Sequence, residues 1–367
     1  MSSSQQARQG TTKLPFFYGW VIVGVGILGI MASSPGQTYA ISIFLDHLLQ
    51  EFELTRTSFA SVYMFATLGS SLLLPKVGLA VDKYGCRKAM TVICLGLGGT
   101  LVLASRMRDF WVLALVLLLL RLFGQGSMIL VSTTMINHWW VTKRGRIMGI
   151  VGLASAVLGT GCFPPLLHYL IETFGWRQSF LWEAAFLFFF VTPGVWLLAR
   201  HKPEDHGLSP DGSEAHKRTT ATADLEGFTK EEAQKTLIFW VSALGIGVQA
   251  MLITGLHFHA VSLFEDKGLS AMTAATTFFP IAATASIVTF ISGWCVEKVS
   301  VVKLLALALF SLTASLVAAT QLQIYVPVLA YALILGATGG LFRTVSGVLW
   351  SQPVSYTHLT LPTIYSV

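Results

Sequence analysis

The sequence predicts an all-α membrane protein in two parts, a six-helix N-terminal half followed by about four further helices. Three observations predict it. Of 367 residues, 54% are hydrophobic and only 11% are charged, whereas a soluble domain carries about 25% charged residues. Apolar runs of about 20 residues, the length that crosses a hydrocarbon core of about 30 Å as a helix, recur along the whole chain. Between the sixth and seventh runs lies a polar stretch, residues 200–235, which reads as a linker. The runs are too long and continuous for the alternating strands of a membrane barrel. Open strands are excluded because lipid cannot satisfy their backbone polar groups.

The first run spans residues 17–44 and is interrupted by Ser33-Ser34-Pro35-Gly36. The second to sixth cover residues 58–81, 89–105, 110–139, 147–171 and 178–199. After the linker, four more cover 237–264, 271–296, 301–321 and 326–350. The expected units are therefore 1–199, the linker 200–235, and a partial second bundle 236–353. A short internal repeat supports the division. Gly78-Leu-Ala-Val-Asp82-Lys83 ends the second helix, and Gly293-Trp-Cys-Val-Glu297-Lys298 ends the eighth at the same spacing. Parallel halves of this kind are a known transporter architecture.

Charge sets the expected orientation. With the N-terminus inside, about sixteen Lys and Arg fall in inner segments and five in outer ones, as the positive-inside rule requires. The net charge of +6 therefore reflects topology, and nucleic acid is not an expected partner. The N-terminus lacks a cleavable signal pattern, since its first apolar run is too long for an h-region. The expected location is the cell membrane, multi-pass, with a cytoplasmic N-terminus. The four cysteines, Cys86, Cys94, Cys162 and Cys295, form no CxxC pair and no metal spacing with histidine. Neither a metal nor a cofactor is expected. There is no phosphate-binding GxxxxGK[ST] loop and no GxSxG elbow, so nothing in the chain points to an enzyme.

Two groups of residues carry the functional expectation. The first is Gly78-Leu-Ala-Val-Asp82-Lys83-Tyr-Gly85-Cys-Arg87-Lys88, between the second and third helices. Gly85 permits a tight reversal at positive φ, Asp82 can pair with a base or a helix N-terminus, and the basic residues fix the loop at the inner face. The second centres on Arg121. It lies eleven residues into the fourth helix, so roughly 16 Å below its outer end at about 1.5 Å per residue. A charge at that depth usually faces a cavity or a partner, and guanidinium suits bidentate capture of a carboxylate. Its competing reading is a structural arginine bonded to neighbouring carbonyls. Helix breaks are tolerated where freed backbone groups face a cavity. The break at Ser34–Gly36 therefore marks Gln37 and Tyr39 as lining candidates, with Gln125 on the fourth helix.

In the seventh helix, Gly255-Leu-His257-Phe-His259 places two histidines on different faces; His259 is the lining candidate. Arg343 in the tenth helix is a further one, able to reach the inner interface. Glu183, about six residues from the outer end of the sixth helix, reads as interfacial or as a proton-coupling acid. Gly159-Thr-Gly161-Cys-Phe-Pro164-Pro165 reads as a kink with close helix packing.

The Gly78–Lys88 loop resembles the signature loop of the major facilitator superfamily, and Arg121-Leu-Phe-Gly-Gln125-Gly126 resembles that family's fourth-helix Arg–Gly motif. Phe17-Tyr-Gly-Trp20, Gly175-Trp-Arg177, Pro203-Glu-Asp-His-Gly-Leu208 and Arg343-Thr-Val-Ser-Gly347-Val-Leu-Trp350 resemble a narrower group, the prokaryotic monocarboxylate-transporter-like and oxalate/formate-antiporter-like proteins. The resemblance implies the major facilitator fold and alternating-access transport of a small organic anion, a monocarboxylate first, by antiport or symport with a coupling ion or counter-substrate. It implies a conformational latch at Gly78, Asp82, Lys83, Gly85, Arg87 and Lys88. The eighth helix departs from the pattern, because it has no Arg or Lys before its cytoplasmic end. A neutral or drug-like solute on the same fold, and a non-transporting sensor or inactive fragment, are the alternatives. Residues 354–367 break the pattern and resemble a reading-frame translation of a transposon adapter. On that expectation the chain is C-terminally truncated, with about two helices missing.

Overall fold

A computed structural model describes residues 16–141, 143–212, 235–295, 299–323 and 326–349. The adapter-like segment 354–367, Glu297 and Lys298 of the repeat, and most of the linker lie outside them. Among the described residues there is no strand, and ten helices are long and apolar enough to cross a membrane. They fall into two compact units, Met1–His216 and Lys217–Val367.

The first unit holds six spans: α1 (Gly19–Glu51), α2 (Arg56–Tyr84), α3 (Cys86–Ser105), α4 (Phe110–Trp139), α5 (Arg144–Phe174) and α6 (Trp176–Leu198). Local chemistry fixes their ends. Thr55 caps α2 by accepting from the Ser58 N–H, and Asp109 caps α4 by accepting from the Val112 N–H. α2 passes into α3 through Gly85 at φ 83°, and α5 into α6 through Gly175 at φ 82°. Positive φ there favours glycine over any residue with a Cβ.

Four of these six spans are not uniform helices. α1 breaks at a 3-10 turn, Ser34–Gly36, as its Ser-Pro-Gly predicts. α4 widens into π-helix over Leu120–Met128, α5 over Ala156–Gly161 and α6 over Leu187–Val191. The sequence reading treats α4 and α6 as continuous, so these bulges are new. α5 is kinked where Gly159–Pro165 predicts, and Pro164 sits in the first turn of its restarted helix.

The core of this unit is aromatic and aliphatic. Phe44 of α1 stacks on Phe180 of α6 with ring centroids 4.1 Å apart, and both are essentially buried. Residues 200–212, the expected start of a linker, pack back onto the unit. The Asp211 carboxylate accepts from the Val141 N–H at 3.2 Å and the Lys143 N–H at 3.0 Å. Those amides leave the end of α4 with no helical acceptor, which is why a carboxylate is held there.

The second unit holds α7 (Leu237–Phe258, continued after a break by Ala260–Glu265), α8 (Ala271–Cys295), α9 (Val301–Thr320) and α10 (Val326–Leu349). α8 and α10 cross on glycine. A Cβ at Gly336 would lie 2.5 Å from the Ile281 carbonyl, and one at Gly340 2.5 Å from the Ala285 carbonyl. Glycine every fourth residue is how membrane helices approach closely without a hydrophobic drive between them. Ser292 and Thr344 hydroxyls, 2.6 Å apart, bridge the same pair.

Large apolar side chains point outward on both units, among them Leu72 (77% exposed), Phe189 (75%) and Phe290 (78%). Water would not tolerate so much apolar surface; lipid is the solvent these faces require.

Candidate functional site

The break in α1 lies against the π-helical stretch of α4, and the contact is made by two glycines. A Cβ at Gly36 would collide with the Leu120 carbonyl and come within 2.8 Å of Gly124 Cα and 2.9 Å of the Gln125 nitrogen. A Cβ at Gly124 would meet Gly36 Cα at 2.8 Å in return. Backbone therefore touches backbone, and the carbonyl freed at the break faces α4.

Arg121 occupies that junction. Its side chain is buried, at 7% exposure. Nη1 donates to the Gly36 carbonyl and to Thr38 Oγ1, each at 3.4 Å. Both bonds are at the long limit for N–H···O. The guanidinium lies 4.9 Å from the Tyr63 ring centroid, a cation–π distance, and the Tyr63 hydroxyl is 3.0 Å from Thr38 Oγ1. Nε has no hydrogen-bond partner. No carboxylate among the described residues pairs with Arg121. A buried guanidinium held by weak neutral contacts retains most of its capacity for an anion.

The other candidates of the first unit converge on the same turn. Gln37 Nε2 donates to Ser33 Oγ at 3.0 Å, and the Tyr39 hydroxyl to Ser34 Oγ at 3.0 Å. Gln125 is half-buried, and its Oε1 has no partner. A Cβ at Gly159 of α5 would lie 3.4 Å from the Tyr39 hydroxyl and 3.6 Å from Ser34 Oγ, so the α5 kink closes this wall. Gln37 and Tyr39 thus bond to serines of the turn whose Gly36 carbonyl accepts from Arg121, and the Gln125 backbone nitrogen lies against that same glycine. Thr38 and Tyr63, which contact Arg121, were missed; only the pairing of α1 with α2 and α4 brings them to it.

In the second unit His259 ends the first part of α7 at φ −96° and is half-buried. Arg343 is exposed on α10. Gln249, which the sequence did not single out, and His257, the other histidine of α7, are further polar groups there. Gln249 is fully buried with neither amide atom partnered, and His257 Nε2 is also unpartnered.

Glu183 is 7% exposed and neither carboxylate oxygen has a partner, so its side chain faces the interior of its bundle.

In the signature loop, Asp82, Lys83 and Lys88 are exposed. Asp82 makes no ion pair among the described residues. Arg87 stacks over Trp196 of α6 at 4.4 Å, so it is engaged within its own unit. Gly78 has open space where a Cβ would stand.

A family model described as Major Facilitator Superfamily matches residues 16–359. The chain belongs to the major facilitator superfamily. Solved structures agree on the fold. A bacterial homologue of the human lysosomal transporter Spinster superposes with a TM-score of 0.61 at 18% identity, over 90% of this chain and 75% of that one. A D-xylose-proton symporter superposes at 0.58 with 16% identity, over 93% and 82%. Among curated sequences, human monocarboxylate transporter 2 is 28% identical over 170 residues, 45% of this chain and 34% of that protein. The "Probable sulfoacetate transporter" of Cupriavidus necator is 25% identical over 177 residues, 45% of this chain and 41% of that protein. The aligned stretches thus cover well under half the length of these curated relatives. The family and these relatives are transporters rather than enzymes.

Proposed function

We propose that this chain is part of a secondary transporter that moves a small organic anion, a monocarboxylate first, across the cell membrane by alternating access. The observation that carries the reading is Arg121, a buried guanidinium with no carboxylate partner and an unpartnered Nε. Such a charge is costly inside a membrane and is retained where it has an ionic task. Its anion would be held by the guanidinium fork and oriented by Gln37, Tyr39 and Gln125; His259 and Arg343 are separate lining candidates within the second unit. The names of the curated relatives, a monocarboxylate and a sulfoacetate transporter, are those of organic-anion carriers. The loop Gly78, Asp82, Lys83, Gly85, Arg87 and Lys88 would stabilise one end state, and the N-terminus would be cytoplasmic.

The test is uptake of labelled monocarboxylates by cells expressing the chain and its Arg121→Ala variant, with surface expression measured in parallel. Uptake should be lost while expression is retained; normal uptake by the variant would overturn the assignment. A second reading, a neutral solute, is favoured by the contacts of Arg121 with Gly36 and Thr38, which fit a structural arginine, and by the similarity to a D-xylose-proton symporter. Competition by unlabelled carboxylates separates the two: an anion carrier is inhibited, a neutral-solute carrier is not.

A further inference from the structure

Three side chains that the transport reading does not use meet at one end of the first unit. Cys86 opens α3, His138 lies in the last turn of α4, and His201 follows α6. Cys86 Sγ is 3.2 Å from His201 Nδ1. The rings of His138 and His201 meet edge to face, with centroids 5.0 Å apart. One sulfur and two imidazole nitrogens thereby lie within 4.8 Å of one another. Bonds of about 2.3 Å to sulfur and about 2.0–2.1 Å to nitrogen place the ligands of a tetrahedral ion roughly 3.3–3.6 Å apart. Side-chain movements of about 1 Å would close this set around an ion.

The set is also prepared in other ways. Cys86 is fully buried, and His138 Nδ1 is buried with no hydrogen-bond partner. His201 is held in place before any ion arrives. Its ring stands over Gly85, 3.4 Å from where a Cβ would be, and its Nδ1, which accepts from the Cys86 backbone N–H at 3.2 Å, would exchange that hydrogen bond for the bond to the ion. A thiolate with two imidazoles is a borderline-soft donor set, suited to zinc and unsuited to magnesium or calcium.

The geometry points to a binding site for a zinc-like divalent transition-metal ion, formed by the Cys86 thiolate and the imidazoles of His138 and His201. Binding releases the thiol proton to the buffer, since only the thiolate ligates. The ion would tie together the start of α3, the end of α4 and the segment after α6, the elements that flank the Gly78–Lys88 loop.

The test is a titration of the purified full chain in detergent with cobalt(II), in a background carrying Cys162→Ala and Cys295→Ala. One cobalt per chain should bind, with a thiolate-to-cobalt charge-transfer absorption that zinc abolishes by competition. Cys86→Ser keeps the approximate size of the side chain and the backbone N–H that His201 accepts, and should remove the absorption. His138→Gln should weaken affinity by at least the about 10–100-fold that loss of a second-shell partner costs a metal site. X-ray absorption at the zinc edge of the zinc-loaded parent should show one sulfur in the first shell, a readout that needs no ligand variant. Absence of stoichiometric cobalt binding, a zinc shell without sulfur, or a cobalt spectrum unchanged by Cys86→Ser would each overturn the site.

Discussion

Gly36→Ala is the substitution whose outcome the structure fixes most tightly. The added methyl would collide with the Leu120 carbonyl and stand 2.8 and 2.9 Å from Gly124 Cα and the Gln125 nitrogen. All three obstacles are backbone, so no side chain can rotate away. Ordinary contact begins near 3.4 Å, and relief requires α1 and α4 to separate by about 1 Å at their crossing. Overpacking of this kind costs about 1–3 kcal/mol, and a backbone obstacle places this case at the upper end. At about 2–4 °C per kcal/mol for a unit of roughly 200 residues, the thermal midpoint in detergent should fall by several degrees. The same separation lengthens Arg121 Nη1 to Gly36 O beyond its present 3.4 Å, so anion uptake should fall as well. Gly99→Ala is the matched control, since it lies in a helix with nothing within 4 Å of the new methyl. It should hold or raise the midpoint, because glycine inside a helix costs about 0.5–1 kcal/mol relative to alanine. If Gly36→Ala melts with Gly99→Ala and transports normally, the close approach of α1 and α4 is wrong.

Other outcomes follow from the same packing. Phe180→Ala removes a buried ring stacked at 4.1 Å on Phe44 and should cost about 3–5 kcal/mol, measured by thermal unfolding against the parent. Glu183→Met replaces a buried carboxylate without partners and should raise stability by about 1–3 kcal/mol; a lower midpoint would mean that the acid has a partner in the membrane. His206, outside the spans, has its pKa held below the ordinary 6.5 chiefly by burial, with Arg200 and Arg87 adding and Asp205 opposing. Below that ordinary value the unfolded chain binds a proton that the folded chain refuses. Stability should therefore fall as pH drops from about 6.5 towards the folded value, and His206→Gln should flatten the dependence of the midpoint on pH in that window.

The sequence by itself determined the spans, because the need to bury backbone polar groups in lipid acts on each helix separately. It also determined the break at Ser34–Gly36, the kink after Gly159 and the turn at Gly85, since each follows from the local chemistry of proline or glycine. It singled out Arg121, Gln37, Tyr39 and Gln125 one by one, as polar groups in apolar runs. Only the tertiary structure decided which of these touch. Thr38 and Tyr63 reach Arg121 because α1 and α4 meet on Gly36 and Gly124, a contact between residues 88 positions apart. The π-helical turn of α4 carries no proline to announce it, whereas that of α6 is followed by Pro193 in the first turn of the restarted helix. Glu183 read as interfacial or proton-coupling from its depth along the helix, and only the packing shows that its side chain faces the bundle interior. The Cys86–His138–His201 cluster has no sequence spacing to find, since its outer members are 115 residues apart. Helix periodicity is a short-range property that one segment carries alone, whereas a site built from three helix ends exists only once those helices are packed.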